Sequence, residues 1–83
     1  MVVLDEIRKL LGDTLQLGAR AEQLAPGTLL LGNMPELDSM AVANVIMAIE
    51  ERFGIVIDDD EVSGETFESV GSLCRFVEQK IAA

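Results

Sequence analysis

Apolar residues fall at helical spacing in three separate stretches of this sequence, and no two segments alternate in a way that would let them pair as strands. Leu4, Ile7, Leu11 and Leu15 recur at i, i+3, i+7 and i+11 with Leu10 alongside, while Asp5, Glu6, Arg8, Lys9 and Asp13 lie mostly off that stripe, the pattern of an amphipathic helix. Val42, Ile46, Ile49 and Phe53 repeat at i, i+4, i+7 and i+11 and close at Arg52-Phe53-Gly54, a cation in the last turn followed by a glycine stop. Val70, Leu73, Val77 and Ile81 make a third stripe with Cys74 beside it. Ile55-Val56-Ile57 has strand-like residues but no partner segment, and three residues alone build no sheet; it reads as a loop packed on the core.

Between the first two stripes the punctuation changes. Gly18, Pro26-Gly27, Gly32-Asn33 and Pro35 mark a long connection from about Leu17 to Leu37. Leu24 and the run Leu29-Leu30-Leu31 make it unusually apolar, so it is expected to dock along the helices through leucine anchors rather than hang as a free linker. Asp38 is the natural N-cap of the second helix, since its carboxylate accepts first-turn amides and suits the positive dipole end; Ser39 begins the helix. Asp58 and Glu61 have capping-box spacing, predicting a short helix around 59–62 that Ser63-Gly64 ends, and Ser69 is placed to cap the last helix. With 28 of 83 residues being Leu, Ile, Val or Phe, the expectation is one all-α domain over residues 1–83: three main helices, one short helix and a long first loop.

Composition then removes whole chemistries. There is no histidine, which excludes Ser-His-Asp and Cys-His nucleophile systems, zincin motifs and His-ligated metal sites; a non-catalytic protein with no metal site is expected. The acidic run Asp58-Asp59-Asp60-Glu61 lacks the alternating ligands and glycine of a calcium loop and reads as capping. Cys74 is the only cysteine, so it forms no internal disulfide, fits a reducing compartment and reads as a small buried hydrophobe. A net charge of −9 and a pI near 4.1 argue against nucleic acid and for basic partners. Acids near the N-terminus are unlike a signal peptide. The longest strongly apolar stretch, Met40 to Ile49, is ten residues and contains Asn44, against about 18 needed to span a bilayer. A cytoplasmic monomer without membrane insertion is expected.

One segment carries a resemblance. Glu36-Leu37-Asp38-Ser39-Met40, followed by an apolar-periodic helix ending in Glu50-Glu51-Arg52-Phe53-Gly54-Ile55, is similar to the acyl carrier protein family, and the similarity extends over nearly the whole chain. The resemblance implies a bundle of three long helices and one short one, with a 4'-phosphopantetheine arm attached covalently to Ser39. It implies further that a phosphopantetheinyl transferase, with a divalent cation, installs that arm from coenzyme A. The arm's thiol would then carry acyl groups as thioesters in fatty-acid, polyketide or other lipid synthesis. The partners implied are acyl-transferring or acyl-activating enzymes with basic docking patches. The face of the second helix beside Ser39 would meet them, through Asp38, Met40, Met47, Glu50 and Glu51. Met40 replaces the family's commoner leucine with a side chain of similar volume, and Asn44 stands where the family has a further acid.

The chemistry of Ser39 agrees with that role. A phosphodiester at a helix N-terminus is favoured by roughly 0.3 to 1 kcal/mol, with Asp38 opposing it by like-charge repulsion. No side chain here is a competent base for a serine hydroxyl, so catalysis must come from the modifying enzyme. The alternatives are a peptidyl or D-alanyl carrier, although the Gly-Gly-rich approach usual in peptidyl carriers is lacking, and an acidic helical adaptor that is never modified. Nine excess negative charges on so small a body repel one another. The melting temperature should therefore rise with added NaCl or Mg2+ in thermal denaturation, and a value insensitive to both would contradict this charge account.

Overall fold

The three apolar stripes become three α-helices, α1 (Val3–Thr14), α2 (Ser39–Phe53) and α3 (Val70–Ala82). The computed structural model describes residues 3–82. The long first loop contains a 3-10 helix at Gly18–Gln23, and the expected short helix is a single 3-10 turn, Asp59–Glu61. Among the described residues no strand forms; one isolated bridge joins Leu29 to Ser69. Helix α1 is central, packing against α2, α3 and the first 3-10 helix.

Burial follows the stripes with informative exceptions. In α1, Ile7, Leu10, Leu11 and the following Leu15 are buried. In α2, Val45 and Ile49 are the buried pair, and Val42, Ile46 and Phe53 are only partly covered. The buried line is thus turned toward Val45 relative to the stripe read from sequence. The reason lies in Ala41-Val42-Ala43 and Val45-Ile46-Met47-Ala48-Ile49: apolar side chains on most sides of a helix leave periodicity unable to say which line faces inward. In α3, Val70, Leu73, Cys74 and Val77 are buried, whereas Ile81 in the final turn is exposed. Burial, and next the nearby Glu78 charge, push the Cys74 thiol's pKa up, which keeps it protonated and inert.

The first loop is docked, as its leucines predict, but not by all of them. Leu17, Leu24, Leu30 and Leu37 are buried, while Leu29 and Leu31 are 51% and 43% exposed. Leu29 lies in the isolated bridge to Ser69 and Leu31 in a turn, and only the middle leucine of the run reaches the core. The loop is fastened at the start of α3. The Val70 and Gly71 N–H groups donate to the Thr28 and Pro26 carbonyls (2.9 and 2.8 Å), and Leu30 and Leu31 N–H donate back to the Glu68 and Phe67 carbonyls, both at 2.9 Å. First-turn amides have no partner within their own helix; here the loop supplies two of them. Ser69 and Ser72 close the remaining cap reciprocally, Ser72 N–H to Ser69 Oγ at 3.1 Å and Ser69 N–H to Ser72 Oγ at 3.0 Å. A Cβ at Gly71 would stand 2.8 Å from the Pro26 oxygen, and one at Gly12 would stand 2.7 Å from the Ala21 methyl. Glycine therefore permits the loop to lie directly on α3 and on α1. Arg8 Nε adds a 2.7 Å hydrogen bond to the Leu24 carbonyl.

After α2 the chain runs without strand structure. Ile57 is buried and Ile55 half-buried, but Val56 is exposed, so only part of that segment is a core-packed loop. The turn that follows is shorter than the 59–62 helix expected. Glu61 accepts the Asp58 N–H at 2.8 Å, one half of the capping box read from the spacing. Lys80 Nζ reaches both Glu61 oxygens at 2.7 and 3.0 Å, pinning the turn to α3. The Lys80 ammonium and then the Asp58 N–H hold the Glu61 carboxyl below the usual carboxylate range.

Glycine at position 71 is a packing requirement. In urea or thermal denaturation Gly71→Ala should lose about 1 to 3 kcal/mol, as overpacking does, despite alanine's better helix propensity. Gly64→Ala, where an added Cβ meets open space, should stay within about 0.5 kcal/mol of wild type.

Candidate functional site

The docked loop ends at the N-terminus of α2, and that junction brings together Asp38, Ser39 and Met40 of the sequence-predicted residues, while Met47, Glu50 and Glu51 lie further along the helix. Leu37 is buried and Asp38 exposed, so the chain passes from the core to the rim within one residue. Asp38 has extended backbone, and its Oδ1 accepts the Ala41 N–H at 2.8 Å: the expected N-cap. The helix starts at Ser39, whose side chain is exposed and whose hydroxyl makes no hydrogen bond among the described residues. A free hydroxyl beside a capped, amide-rich helix end is well placed to take an incoming phosphate, because dipole and N–H groups both favour negative charge there. Among the described residues no side chain that could deprotonate it is hydrogen-bonded to it.

Along the outer side of α2, Met40 is 75% exposed and Met47 59%, with Ala43, Asn44 and Glu51 exposed between and beyond them. Flexible, polarizable methionine side chains held in solvent suit adaptable contacts. Asp38 and Glu51 lie at opposite ends of this face, about 20 Å apart at 1.5 Å per residue, and no acid stands between them on it, since position 44 is asparagine.

Glu50 and Glu51 are neighbours in sequence with different work. Glu50 is half-buried; its Oε2 accepts the Ile57 N–H at 2.8 Å, and its carbonyl accepts the N–H groups of Gly54 and Ile55. Gly54 adopts a left-handed φ of 64°, which glycine takes without a Cβ penalty. Glu50 thus terminates α2 and aims the chain into the next loop, while Glu51 faces outward. Arg52 turns to α1, its Nε 2.5 Å from Glu6 Oε2.

One contact at the site had no sequence signal. Arg20, in the first 3-10 helix, forms a two-pronged ion pair with Glu36, Nη1 to Oε2 and Nη2 to Oε1 at 3.3 Å. The hydrogen bonds from Arg20 hold the Glu36 carboxyl below its usual range and raise the Arg20 pKa in turn. Sixteen residues separate the two, and no local periodicity links them.

Residues 3–77 match the family model described as a phosphopantetheine attachment site. The acyl carrier protein of Nitratidesulfovibrio vulgaris (strain DSM 19637 / Miyazaki F) is 41% identical over 61 residues, which cover 74% of this chain and 76% of that one. The chain belongs to the acyl carrier protein family. A further acyl carrier protein, from Thermosynechococcus vestitus, is 30% identical over 81 residues, covering 98% and 94% of the two chains. The solution NMR structure of a holo acyl carrier protein from Nitrosomonas europaea superimposes with a TM-score of 0.91 at 54% identity over the full length of both chains. As an acyl carrier protein, the chain takes a covalent 4'-phosphopantetheine group and holds acyl groups for partner enzymes. Such proteins are carriers rather than catalysts, so the unmodified adaptor reading gives way. No helix among the described residues is long and apolar enough to cross a membrane.

The two adjacent glutamates separate in a stability measurement. Glu50→Ala strands the partly buried Ile57 N–H and should lose about 1 to 2 kcal/mol on thermal or urea unfolding. Glu51→Ala should remain within about 0.5 kcal/mol of wild type, and equal losses would contradict the division of roles.

Proposed function

We propose that Ser39 is the attachment residue and that the outer face of α2 is where partner enzymes dock. The observation that carries this reading is the exposed, uncommitted Ser39 hydroxyl at the capped N-terminus of α2, delivered there by a loop whose buried leucines leave it little freedom. In the transfer, Ser39 Oγ gives its proton to a base on the phosphopantetheinyl transferase. It then bonds to the phosphorus of coenzyme A that bears the pantetheine arm, as adenosine 3',5'-bisphosphate leaves. Once bound, the arm supplies a thiol that holds acyl groups as thioesters. This chain's contribution is presentation: Asp38 fixes the helix end, Ser39 offers the oxygen, and the small acidic body brings the cargo to other active sites at high effective concentration.

Asp38, Met40, Met47 and Glu51 form the docking surface for acyl-transferring or acyl-activating enzymes with basic patches, and Glu50 supports it from behind. Four of the six cations, Arg8, Arg20, Arg52 and Lys80, are engaged in ion pairs with acids other than Asp38 and Glu51, which supports an outward electrostatic attraction for basic surfaces. The protein acts as a monomer, has no catalytic activity of its own, and works in the cytoplasm, a reading supported by its single buried cysteine.

Incubation of the purified chain with coenzyme A, Mg2+ and a broad-specificity phosphopantetheinyl transferase should add one phosphopantetheine mass, mapping to the peptide that contains Ser39. Ser39→Ala should stay unmodified in the same assay. Failure of the wild type to gain mass would return the reading to an unmodified protein.

A further inference from the structure

The last stretch of the first loop, residues 30–37, is a succession of turns: the Asn33 and Met34 N–H groups donate to the Leu30 carbonyl at 3.0 and 2.9 Å, and Leu37 N–H donates to the Met34 carbonyl at 3.0 Å. Such turns hold their own shape; backbone bonds to α3's approach fasten only the start of the segment, at Leu30 and Leu31, and among the described residues none fastens its far end, whose place is decided by side chains. Leu30 and Leu37 anchor its two ends in the core. Between it and the first 3-10 helix lies a surface recess of about 190 Å³ lined by Leu17, Arg20, Gln23, Leu24, Thr28 and Met34, so apolar packing leaves a gap on that side. Arg20 spans from this recess to Glu36 with both terminal nitrogens on both carboxylate oxygens. A planar fork on a carboxylate fixes direction as well as distance, and Glu36 stands two residues before the N-cap Asp38 and three before Ser39.

We propose that the Arg20–Glu36 pair is a positioning clasp for modification of Ser39, holding the turn that presents Asp38 and the serine hydroxyl at the angle the transferase accepts. The inference rests on Ser39 being the attachment residue. Neither Arg20 nor Glu36 touches the reacting atoms; they act through the backbone of residues 36–38. Both side chains are partly exposed, and exposed pairs contribute little to global stability. The clasp therefore shows in the rate of modification and leaves the melting temperature nearly unchanged.

Charge alone makes a different prediction, which allows a clean test. Arg20→Ala makes the region more negative and Glu36→Ala makes it less so; a purely electrostatic effect on the approach of anionic coenzyme A would move the rate in opposite directions. A clasp is opened equally by either substitution. With the full chain, coenzyme A, Mg2+ and one phosphopantetheinyl transferase, kcat/KM is measured by mass spectrometry for wild type, Arg20→Ala, Glu36→Ala and the exchanged pair Arg20→Glu/Glu36→Arg, with a melting curve for each. Both single variants should slow by about two- to fivefold, the range an exposed pair supplies, and the exchanged pair should recover most of the loss. Unchanged single variants, opposite changes, an exchanged pair as slow as the singles, or a slowing matched by a large fall in melting temperature would each overturn the clasp. Wild type that gains no mass, or gains it away from Ser39, removes the Ser39 reading and the clasp with it; modified wild type with unaffected variants removes the clasp alone.

Discussion

The structure depends on the laying of an irregular segment onto two helices. Between Thr14 and Ser39 the chain forms no α-helix, yet backbone polar groups near a core must find partners. The solution here is to satisfy two needs with one set of bonds. The first amides of α3 lack partners within their helix, and the loop carbonyls of Pro26 and Thr28 lack a ladder; each completes the other. The fit requires backbone to approach backbone closely, so Gly71 is needed where helix propensity alone would favour alanine. Buried Leu17, Leu24, Leu30 and Leu37 then supply the apolar contacts that hold the segment down.

That arrangement makes an exposed serine well defined. A hydroxyl on a free loop would sample many directions, whereas one at the first position of a helix inherits the helix's orientation. Asp38 caps that helix from outside and Leu37 anchors it from inside, so neighbouring residues set the place of Ser39 from opposite sides of the surface. The proposed attachment at Ser39 rests on this geometry. A protein without histidine and, among the described residues, without a side chain hydrogen-bonded to that hydroxyl leaves its activation to an enzyme, and in the proposed reading it presents the oxygen to that enzyme in a fixed position.

Much of this was legible in the sequence, and the illegible parts share a cause. Helical spacing located all three helices, the glycine and proline signals located the loop, and the Asp38-Ser39 junction followed from capping chemistry. The sequence misled where local pattern was degenerate. Helix α2 is apolar on most sides, which hid Val45 behind the stripe of Val42, Ile46, Ile49 and Phe53. The leucine triplet gave no indication that only Leu30 would reach the core, because that depends on the bridge at Leu29 and the turn at Leu31. Glu50 and Glu51 look alike as letters, and only the path of the following loop gives one of them a buried amide to hold. The Gly71 contact with Pro26 and the Arg20–Glu36 pair join distant positions, so no window of local sequence contains either.

If the loop is fastened as described, its amides must share the protection of the helices they join. Native-state hydrogen exchange followed by NMR on the full chain tests this directly. Leu30, Leu31, Val70 and Gly71 should exchange about as slowly as the buried-face amides of α1, because opening any of them requires lifting the loop from the core. Exchange of these four at the rate of unstructured peptide, with α1 still protected, would mean that the loop is free and that the placement of Ser39 has another cause.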